Sequence, residues 1–187
     1  MHEFAVIGVV GLPGSGKTEI ARVAGELDIP RVRMGDVVWD EVRERELELN
    51  EENVGTVARE LRDKEGLDAI AKRCVPLIEE KGKNKKAVLV DGIRGKAEVE
   101  EFRRSFGERF SLLTVKASER TRFKRVSSRG RKDDISSLKA FHEKDERELS
   151  WGLDGAMNLA DYSIVNEGTL GEFHQQAKEI LKKIVGE

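Results

Sequence analysis

The feature that most constrains this chain is an apolar segment that runs directly into a glycine-rich loop. Phe4 to Val10 reads FAVIGVV, and residues 11–18 read GLPGSGKT. A short run that is apolar at almost every position is typical of a strand buried on both faces, as in a parallel sheet. Residues 16–27 then carry apolar side chains at helical spacing. The order of strand, glycine-rich loop and helix therefore predicts an α/β fold.

The loop matches the pattern G-x-x-x-x-G-K-[ST], the P-loop that cradles nucleotide phosphates. Its glycines permit backbone angles that turn amides toward one anion, and the following helix adds its N-terminal N–H groups. We expect Lys17 to reach the β- and γ-phosphates and the Thr18 hydroxyl to ligate Mg²⁺, which makes ATP and Mg²⁺ the expected cofactors. The flanking strand and helix disfavour a chance match. The predicted nucleotide-binding residues are Gly11, Leu12, Pro13, Gly14, Ser15, Gly16, Lys17 and Thr18.

Strands and helices alternate along the rest of the chain. Further strands are predicted at Arg31 to Met34, Ala87 to Val90, Phe110 to Val115 and Tyr162 to Val165. This alternation predicts a three-layer α/β/α P-loop NTPase fold with a mainly parallel five-stranded sheet. We expect one domain over residues 1–187, with a helical acceptor-lid insertion at about 40–82 and a short basic lid at about 127–135.

Composition excludes several classes of protein. The 187 residues carry 34 basic and 36 acidic side chains, a net charge of −2, which argues against general coating of nucleic acids. No apolar run approaches the roughly 18 residues that cross a bilayer, and the N-terminus lacks a basic leader region, so we expect a cytoplasmic protein with no membrane partner. The single cysteine, Cys74, excludes an internal disulfide and is expected in the core. Dense mixed charge with few Asn and Gln residues is typical of heat-adapted proteins, although ordinary drift also produces it.

A second candidate motif, Asp91-Gly92-Ile93-Arg94, closes the strand at Ala87 to Val90. Acidic residues at the C-terminal ends of parallel strands face the ligand crevice. Asp91 is therefore a candidate catalytic residue that holds Mg²⁺ through water beside Thr18, and Arg94 is a candidate for binding the phosphate of an acceptor. The alternative is a helix-capping Asp beside a solvated Arg.

A basic stretch spans Lys116 to Lys132. Arg125 and Arg129 are spaced i, i+4 on a predicted helix, so we expect them to share one face, and Arg131 follows. Guanidinium groups converging on the transferred phosphoryl group would stabilise its charge, so these three arginines are predicted catalytic residues. An RNA-binding arm is a weaker alternative, because Phe123 is the only aromatic residue there, and a solvated basic face is another.

Further acceptor candidates lie between the second and third strands. Gly35-Asp36 follows the second strand, and Arg59 and Arg62 lie on a predicted helix of the insertion. We expect Asp36 to contact the acceptor or Mg²⁺, and the two arginines to contact the acceptor. The alternative for Arg59 and Arg62 is ordinary surface charge.

Together these motifs resemble the nucleoside monophosphate kinase branch of P-loop kinases over nearly the whole chain. The resemblance rests on GLPGSGKT, Met34-Gly35-Asp36, Asp91-Gly92-Ile93-Arg94, the arginines at 125 and 129, and the run from Arg131 to Asp134. The segment from Ala160 to Gly168 resembles dephospho-CoA kinase, which implies that Asn166 and Gly168 lie near the adenine. As a whole the chain is similar to an archaeal family of adenylate-kinase-like and dephospho-CoA-kinase-like proteins.

The resemblance implies a kinase that moves the γ-phosphoryl group of ATP to a small phosphate-bearing acceptor, such as a nucleoside monophosphate or dephospho-CoA. The chain departs from the family pattern in three places. The proline of Asp-Gly-x-Pro-Arg is missing, Trp39 stands where an arginine is usual, and the lid is almost absent. A P-loop ATPase or a nucleotide-bound regulator, acting on a protein or RNA partner, is the alternative.

Overall fold

The computed structural model describes residues 4–128 and 137–187. Within these residues, strands and helices alternate as β1 (Ala5–Val10), α1 (Lys17–Glu26), β2 (Arg31–Arg33), α2 (Met34–Glu44), α3 (Glu51–Glu65), α4 (Ala69–Gly82), β3 (Ala87–Asp91), α5 (Lys96–Phe106), β4 (Phe110–Lys116), α6 (Glu119–Ser127), α7 (Leu138–Ser150), α8 (Leu153–Asn158), β5 (Tyr162–Val165) and α9 (Leu170–Ile184). A 3₁₀ turn, Gly107–Arg109, joins α5 to β4. No helix in the described ranges is long and apolar enough to span a membrane.

The described strands form one parallel sheet in the order β2-β3-β1-β4-β5. The central strand, β1, pairs with β3 on one side and with β4 on the other. Val9 lies opposite Asp91, and Val10 lies opposite Thr114. Since all strands run the same way, their C-terminal ends meet at one edge, which is where the glycine-rich loop begins.

Two apolar layers enclose this sheet. Alternate residues of β1 enter different layers: Val6 and Val10 pack with α2–α5 and α8, whereas Ile7 and Val9 pack with α1 and α9. All four side chains are at most 1% exposed. The predicted three-layer α/β/α arrangement is therefore confirmed, and the near-continuous apolar run reflects a strand buried on both faces.

Helices α2–α4 occupy the predicted insertion and pack into the core. Val57, Leu61, Cys74 and Ile78 are fully buried in the layer on that side of the sheet, which agrees with the core position expected for Cys74. Glu41 on α2 also accepts hydrogen bonds from Arg45 and from Arg73 on α4, each at 2.8 Å. The buried contacts and these ion pairs hold the three helices together. Their role as an acceptor lid stays a prediction.

Some element boundaries differ from those predicted. The strand predicted at Arg31 to Met34 ends at Arg33, because Met34 already begins helix α2. Helix α7 begins after Ser137, whose hydroxyl accepts a hydrogen bond from the Ala140 amide, and residues 129–136 lie outside the described ranges. The separate helix α8 was not predicted. Gly152, at φ 90°, starts it and turns Leu153 and Ala156 into the core.

Two helical glycines give a matched test of the packing. A Cβ at Gly82 would lie 2.3–2.5 Å from the buried ring of Phe4, whereas one at Gly25 would meet nothing within 4 Å. We expect Gly82→Ala to lower the free energy of unfolding by about 1–3 kcal/mol, because the core must shift. Gly25→Ala should raise it by up to about 1 kcal/mol through helix propensity. Urea denaturation of both variants checks this, and equal effects would contradict the packing described.

Candidate functional site

The glycine-rich loop joins β1 to α1 and has the backbone geometry of a phosphate cradle. Gly14 has φ 80° and Gly16 has φ 119°, values that side chains disfavour. A Cβ at Gly14 would lie 2.8 Å from the Arg122 carbonyl oxygen, and one at Gly16 would lie 2.5 Å from Asn166 Nδ2. Both glycines are therefore required by conformation and by close approach, and α1 begins at once with Lys17.

The side chain of Lys17 folds back onto its own loop. Its Nζ donates hydrogen bonds to the carbonyl oxygens of Gly11, at 2.5 Å, and Leu12, at 3.2 Å. Burial lowers the pKa of Lys17 to about 8, although the carboxylates of Asp91 and Glu148 oppose this shift. The lysine therefore lies in a pocket that lacks a full countercharge, as a phosphate-binding ammonium would.

Two neighbouring cavities share Lys17, Arg94, Glu148 and Pro13 in their walls. The larger measures about 720 Å³, within the range that holds a nucleotide-sized ligand. The smaller, about 90 Å³, lies beside Gly92 and Ile93 at the end of β3. Of the predicted site residues, the larger cavity brings together Pro13, Gly14, Gly16, Lys17, Thr18, Arg94, Arg125, Asn166 and Gly168. Gly11 lines the smaller one.

The candidate magnesium residues take different positions. Thr18 is exposed in the larger cavity. Asp91 lies at the end of β3, where Arg31 Nη2 is 2.7 Å from its Oδ2 atom. The Asp36 carboxylate lies on the first turn of α2, 3.6 Å from Arg33 Nε, and it is absent from both cavity walls. Asp91 is likewise absent from both cavity walls, although its charge acts on Lys17 and opposes the lowering of that lysine's pKa. Of these three residues, Thr18 is therefore the one that lines a cavity.

Asn166 connects the end of β5 to the glycine-rich loop. Its Nδ2 donates to the Ser15 carbonyl at 2.8 Å, and its Oδ1 accepts from Arg125 Nη2 at 3.1 Å. The residue is 6% exposed. Asn166 therefore orients the loop and an arginine from α6, and it lines the larger cavity with Gly168. That these two residues lie near the adenine stays a prediction.

A buried ion pair supports the loop from behind, and the sequence did not reveal it. Arg122 Nη1 and Nη2 donate to the two carboxylate oxygens of Asp145 at 2.9 and 2.6 Å. Arg122 Nη1 also donates to the Pro13 carbonyl at 3.2 Å, and the guanidinium lies 5.0 Å from the Phe141 ring centroid. Arg122 was visible only as one of several basic residues. Nothing in the local pattern joined it to an acid 23 residues away.

Glu148 was also missed. It lies on α7, three residues after Asp145, and its oxygens accept from Arg94 Nη1 at 3.0 and 3.3 Å. The Arg94 guanidinium lies 5.4 Å from the ring centroid of Trp151. Arg94 thus lines the same cavities as Lys17, and its guanidinium already forms an ion pair with Glu148.

The other predicted arginines are further from this centre. Arg59 is exposed on α3, and Arg62 lies 3.4 Å from the buried carboxylate of Glu98. Neither lines either cavity. Helix α6 ends at Ser127, and Arg129 and Arg131 lie outside the described residues. The expectation that Arg125 and Arg129 share a helical face therefore stays a prediction, as does the basic lid at 127–135.

Similar solved structures establish the fold class. The protein TT1252 from Thermus thermophilus superposes with a TM-score of 0.65 at 18% identity, covering 97% of this chain and 98% of that one. A dephospho-CoA kinase from Campylobacter jejuni gives 0.63 at 14% identity, covering 96% of each chain. A shikimate kinase from Acinetobacter baumannii gives 0.55 at 19% identity, over 97% and 93%. With its glycine-rich loop, the fold is that of a P-loop kinase-like protein.

Sequence relatives identify the family. A family model described as an AAA domain matches residues 10–142. A UPF0200 protein of Methanosarcina acetivorans is 47% identical over 176 residues, which are 94% of this chain and 93% of that protein. A UPF0200/UPF0201 protein of Archaeoglobus fulgidus is 51% identical over 97% of this chain, but the chain spans only 56% of that relative. The chain belongs to the AAA domain family by that match, and it belongs to the archaeal UPF0200 proteins by its relatives.

The support that Arg122 gives to the loop predicts coupled losses of stability and binding. Asp145→Ala removes the negative charge that pairs with the Arg122 guanidinium, and Arg122 is only 4% exposed. We expect the free energy of unfolding to fall by about 3–5 kcal/mol, because a buried charge is left unpaired, and ADP to bind more weakly. Denaturation and calorimetric titration measure the two effects, with Asp145→Asn as a milder variant. Glu143→Ala, exposed on the same helix, should change neither.

The lowered pKa of Lys17 predicts proton uptake on nucleotide binding. Phosphate oxygens stabilise the ammonium, so its pKa, about 8 in the free protein, must rise when ADP binds. At about pH 8.5 binding should take up part of a proton, at about pH 6.5 almost none, and affinity should fall as pH rises through 8. Titration calorimetry in buffers of different ionisation enthalpy measures this uptake. Absence of uptake at the higher pH would contradict the role of Lys17.

Proposed function

We propose that this protein is an ATP- and Mg²⁺-dependent phosphotransferase. It moves the γ-phosphoryl group to a small phosphate-bearing acceptor, such as a nucleoside monophosphate or dephospho-CoA, in the cytoplasm. The observation that carries the proposal is the convergence of Lys17 and Arg94, from two different strand ends, on the same pair of cavities. One cation serves the donor phosphates and the other serves the acceptor.

On the donor side, the backbone of residues 11–18 binds the phosphates and Lys17 turns from its carbonyl partners toward the β- and γ-phosphates. The large cavity extends from this loop to Asn166 and Gly168, so the nucleoside would lie toward the end of β5. Glycine-loop amides and a partly desolvated ammonium suit a polyphosphate better than a neutral ligand.

Thr18 and Asp91 fit a magnesium ion held mainly by phosphates and water. No group of three or more His, Cys, Asp or Glu side chains with metal-site geometry occurs in the described part of the chain. Mg²⁺ usually keeps several waters and takes only one or two protein ligands in such sites, which agrees with this sparse set. Thr18 would bind directly, Asp91 through water, and Asp36 is the alternative carboxylate. When bound, the ion neutralises charge on the β- and γ-phosphates.

On the acceptor side, Arg94 is the residue best placed to bind an anionic group. Arg125 faces the donor cavity, where it would stabilise charge on the transferred group, and we assign the same role to Arg129 and Arg131. Arg59, Arg62 and Asp36 would contribute only if α2–α4 moved toward the cavities. Positioning and electrostatics account for the proposed catalysis, and no covalent enzyme intermediate is required.

The solved relatives support this reaction type through their names. Dephospho-CoA kinase, shikimate kinase and gluconokinase are all kinases of small molecules. They share the fold at 14–19% identity, so they support phosphoryl transfer as a class and leave the acceptor to be determined by experiment.

The deciding experiment measures ADP release from Mg-ATP with AMP, CMP, UMP, GMP, dTMP or dephospho-CoA, each beside an acceptor-free control. We expect one acceptor to stimulate release strongly and its phosphorylated product to appear by mass spectrometry. Lys17→Ala should lower that rate by about 10²–10³-fold without changing thermal stability, because a phosphate-stabilising charge is lost. Lys178→Ala, exposed on α9, is the matched control. Slow hydrolysis indifferent to every acceptor would instead support the ATPase or regulator alternative.

A further inference from the structure

Glu148 is held at the meeting point of the two cavities by the way α7 is anchored. One turn earlier on the same helix, Asp145 forms the buried ion pair with Arg122, which itself binds the Pro13 carbonyl. Residues three apart share a helical face, so this anchor directs Glu148 to the same side. Its side chain is only 16% exposed, and it lies in the walls of both cavities.

The contact between Glu148 and Arg94 has the geometry of an exchangeable pair. A single nitrogen, Arg94 Nη1, reaches both carboxylate oxygens, so the two-pronged face of the guanidinium is not used. The Arg94 side chain is 47% exposed. Ion pairs of this kind contribute at most about 1 kcal/mol, far less than a buried fork-to-fork pair.

The backbone of Arg94, by contrast, is fixed. Its amide donates to Glu98 Oε2 at 2.7 Å, and Glu98 is 2% exposed at the start of α5. Any rearrangement at Arg94 is therefore confined to its side chain, which lies over Trp151. A change of partner at the guanidinium would alter the surroundings of that indole ring.

We propose that Glu148 is a specificity-determining residue, which serves as the resident anion of Arg94 until an anionic group of the acceptor replaces it. An incoming phosphate or carboxylate can accept two parallel hydrogen bonds from the Arg94 guanidinium, which Glu148 does not use. The negative charge of Glu148 repels the incoming anion and so weakens its binding. An uncharged hydroxyl compound or water leaves the pair intact. The site therefore admits an acceptor that carries an anion. The identity of that anion as part of an acceptor rests on the proposed function, but the exchange itself concerns binding alone.

Inorganic phosphate is a suitable probe once ADP and Mg²⁺ saturate the glycine-rich loop. The background variant is Trp39→Phe, which leaves Trp151 as the only tryptophan. We expect phosphate to change the Trp151 emission saturably, and Glu148→Gln to lower the dissociation constant for phosphate roughly two- to fivefold by removing the competing charge. Glu146→Gln, exposed on the same helix, should leave that constant unchanged. Arg94→Gln should abolish the response.

Three results would overturn the proposal: equal phosphate affinity in wild type and Glu148→Gln, weaker affinity in Glu148→Gln, or a saturable response that survives Arg94→Gln. Circular dichroism and ADP titration of each variant establish that the fold and the donor site are intact. The titration needs no turnover, so it is independent of the acceptor panel. If Glu148→Gln binds phosphate more tightly but no acceptor stimulates ADP release, this inference stands and phosphotransfer is rejected. If an acceptor stimulates ADP release but Glu148→Gln leaves phosphate affinity unchanged, phosphotransfer stands and this inference is rejected.

Discussion

Burial of β1 on both faces is the constraint on which the site depends. Because its side chains alternate between two apolar layers, the strand must lie at the centre of the sheet, between β3 and β4. Its parallel neighbours end at the same edge, so Asp91 lies next to the loop after Val10 although the two are far apart in the sequence. The glycine-rich loop therefore lies at the C-terminal edge of the sheet, which is where open parallel sheets bind ligands.

Charged side chains at this edge already have internal polar partners in the free protein. Arg31 accompanies Asp91, Glu148 accompanies Arg94, and Asn166 accepts from Arg125. Lys17 donates to carbonyl oxygens, and burial lowers its pKa although the charges of Asp91 and Glu148 oppose that shift. Ligand binding at such a site is an exchange of partners, and its strength depends on how readily each internal partner is released.

Local signals predicted most of the fold. Each of the five described strands lies at a segment that the sequence predicted, and four of them lie in apolar runs. Features that depend on one glycine were less predictable. The turn that starts α8 arises from the positive φ of Gly152, and one backbone angle leaves no periodic pattern in the sequence. Two residues singled out by motifs, Lys17 and Arg94, line both cavities, whereas the motif residues Asp36 and Asp91 line neither, and the roles of all four stay predictions. The sequence missed Asp145 and Glu148, whose significance comes from partners far away in the chain.

The sequence alone indicated the α/β class, a first strand buried on both faces and a P-loop pattern, because each follows from a short contiguous pattern with one physical cause. Tertiary structure decided which charges meet. It placed Glu148 against Arg94, paired Arg122 with Asp145 behind the loop, and kept Asp36 out of the cavity walls. These pairings depend on how α6, α7 and α2 pack on the sheet. The position of a charged residue in the sequence does not show which distant residue it will contact.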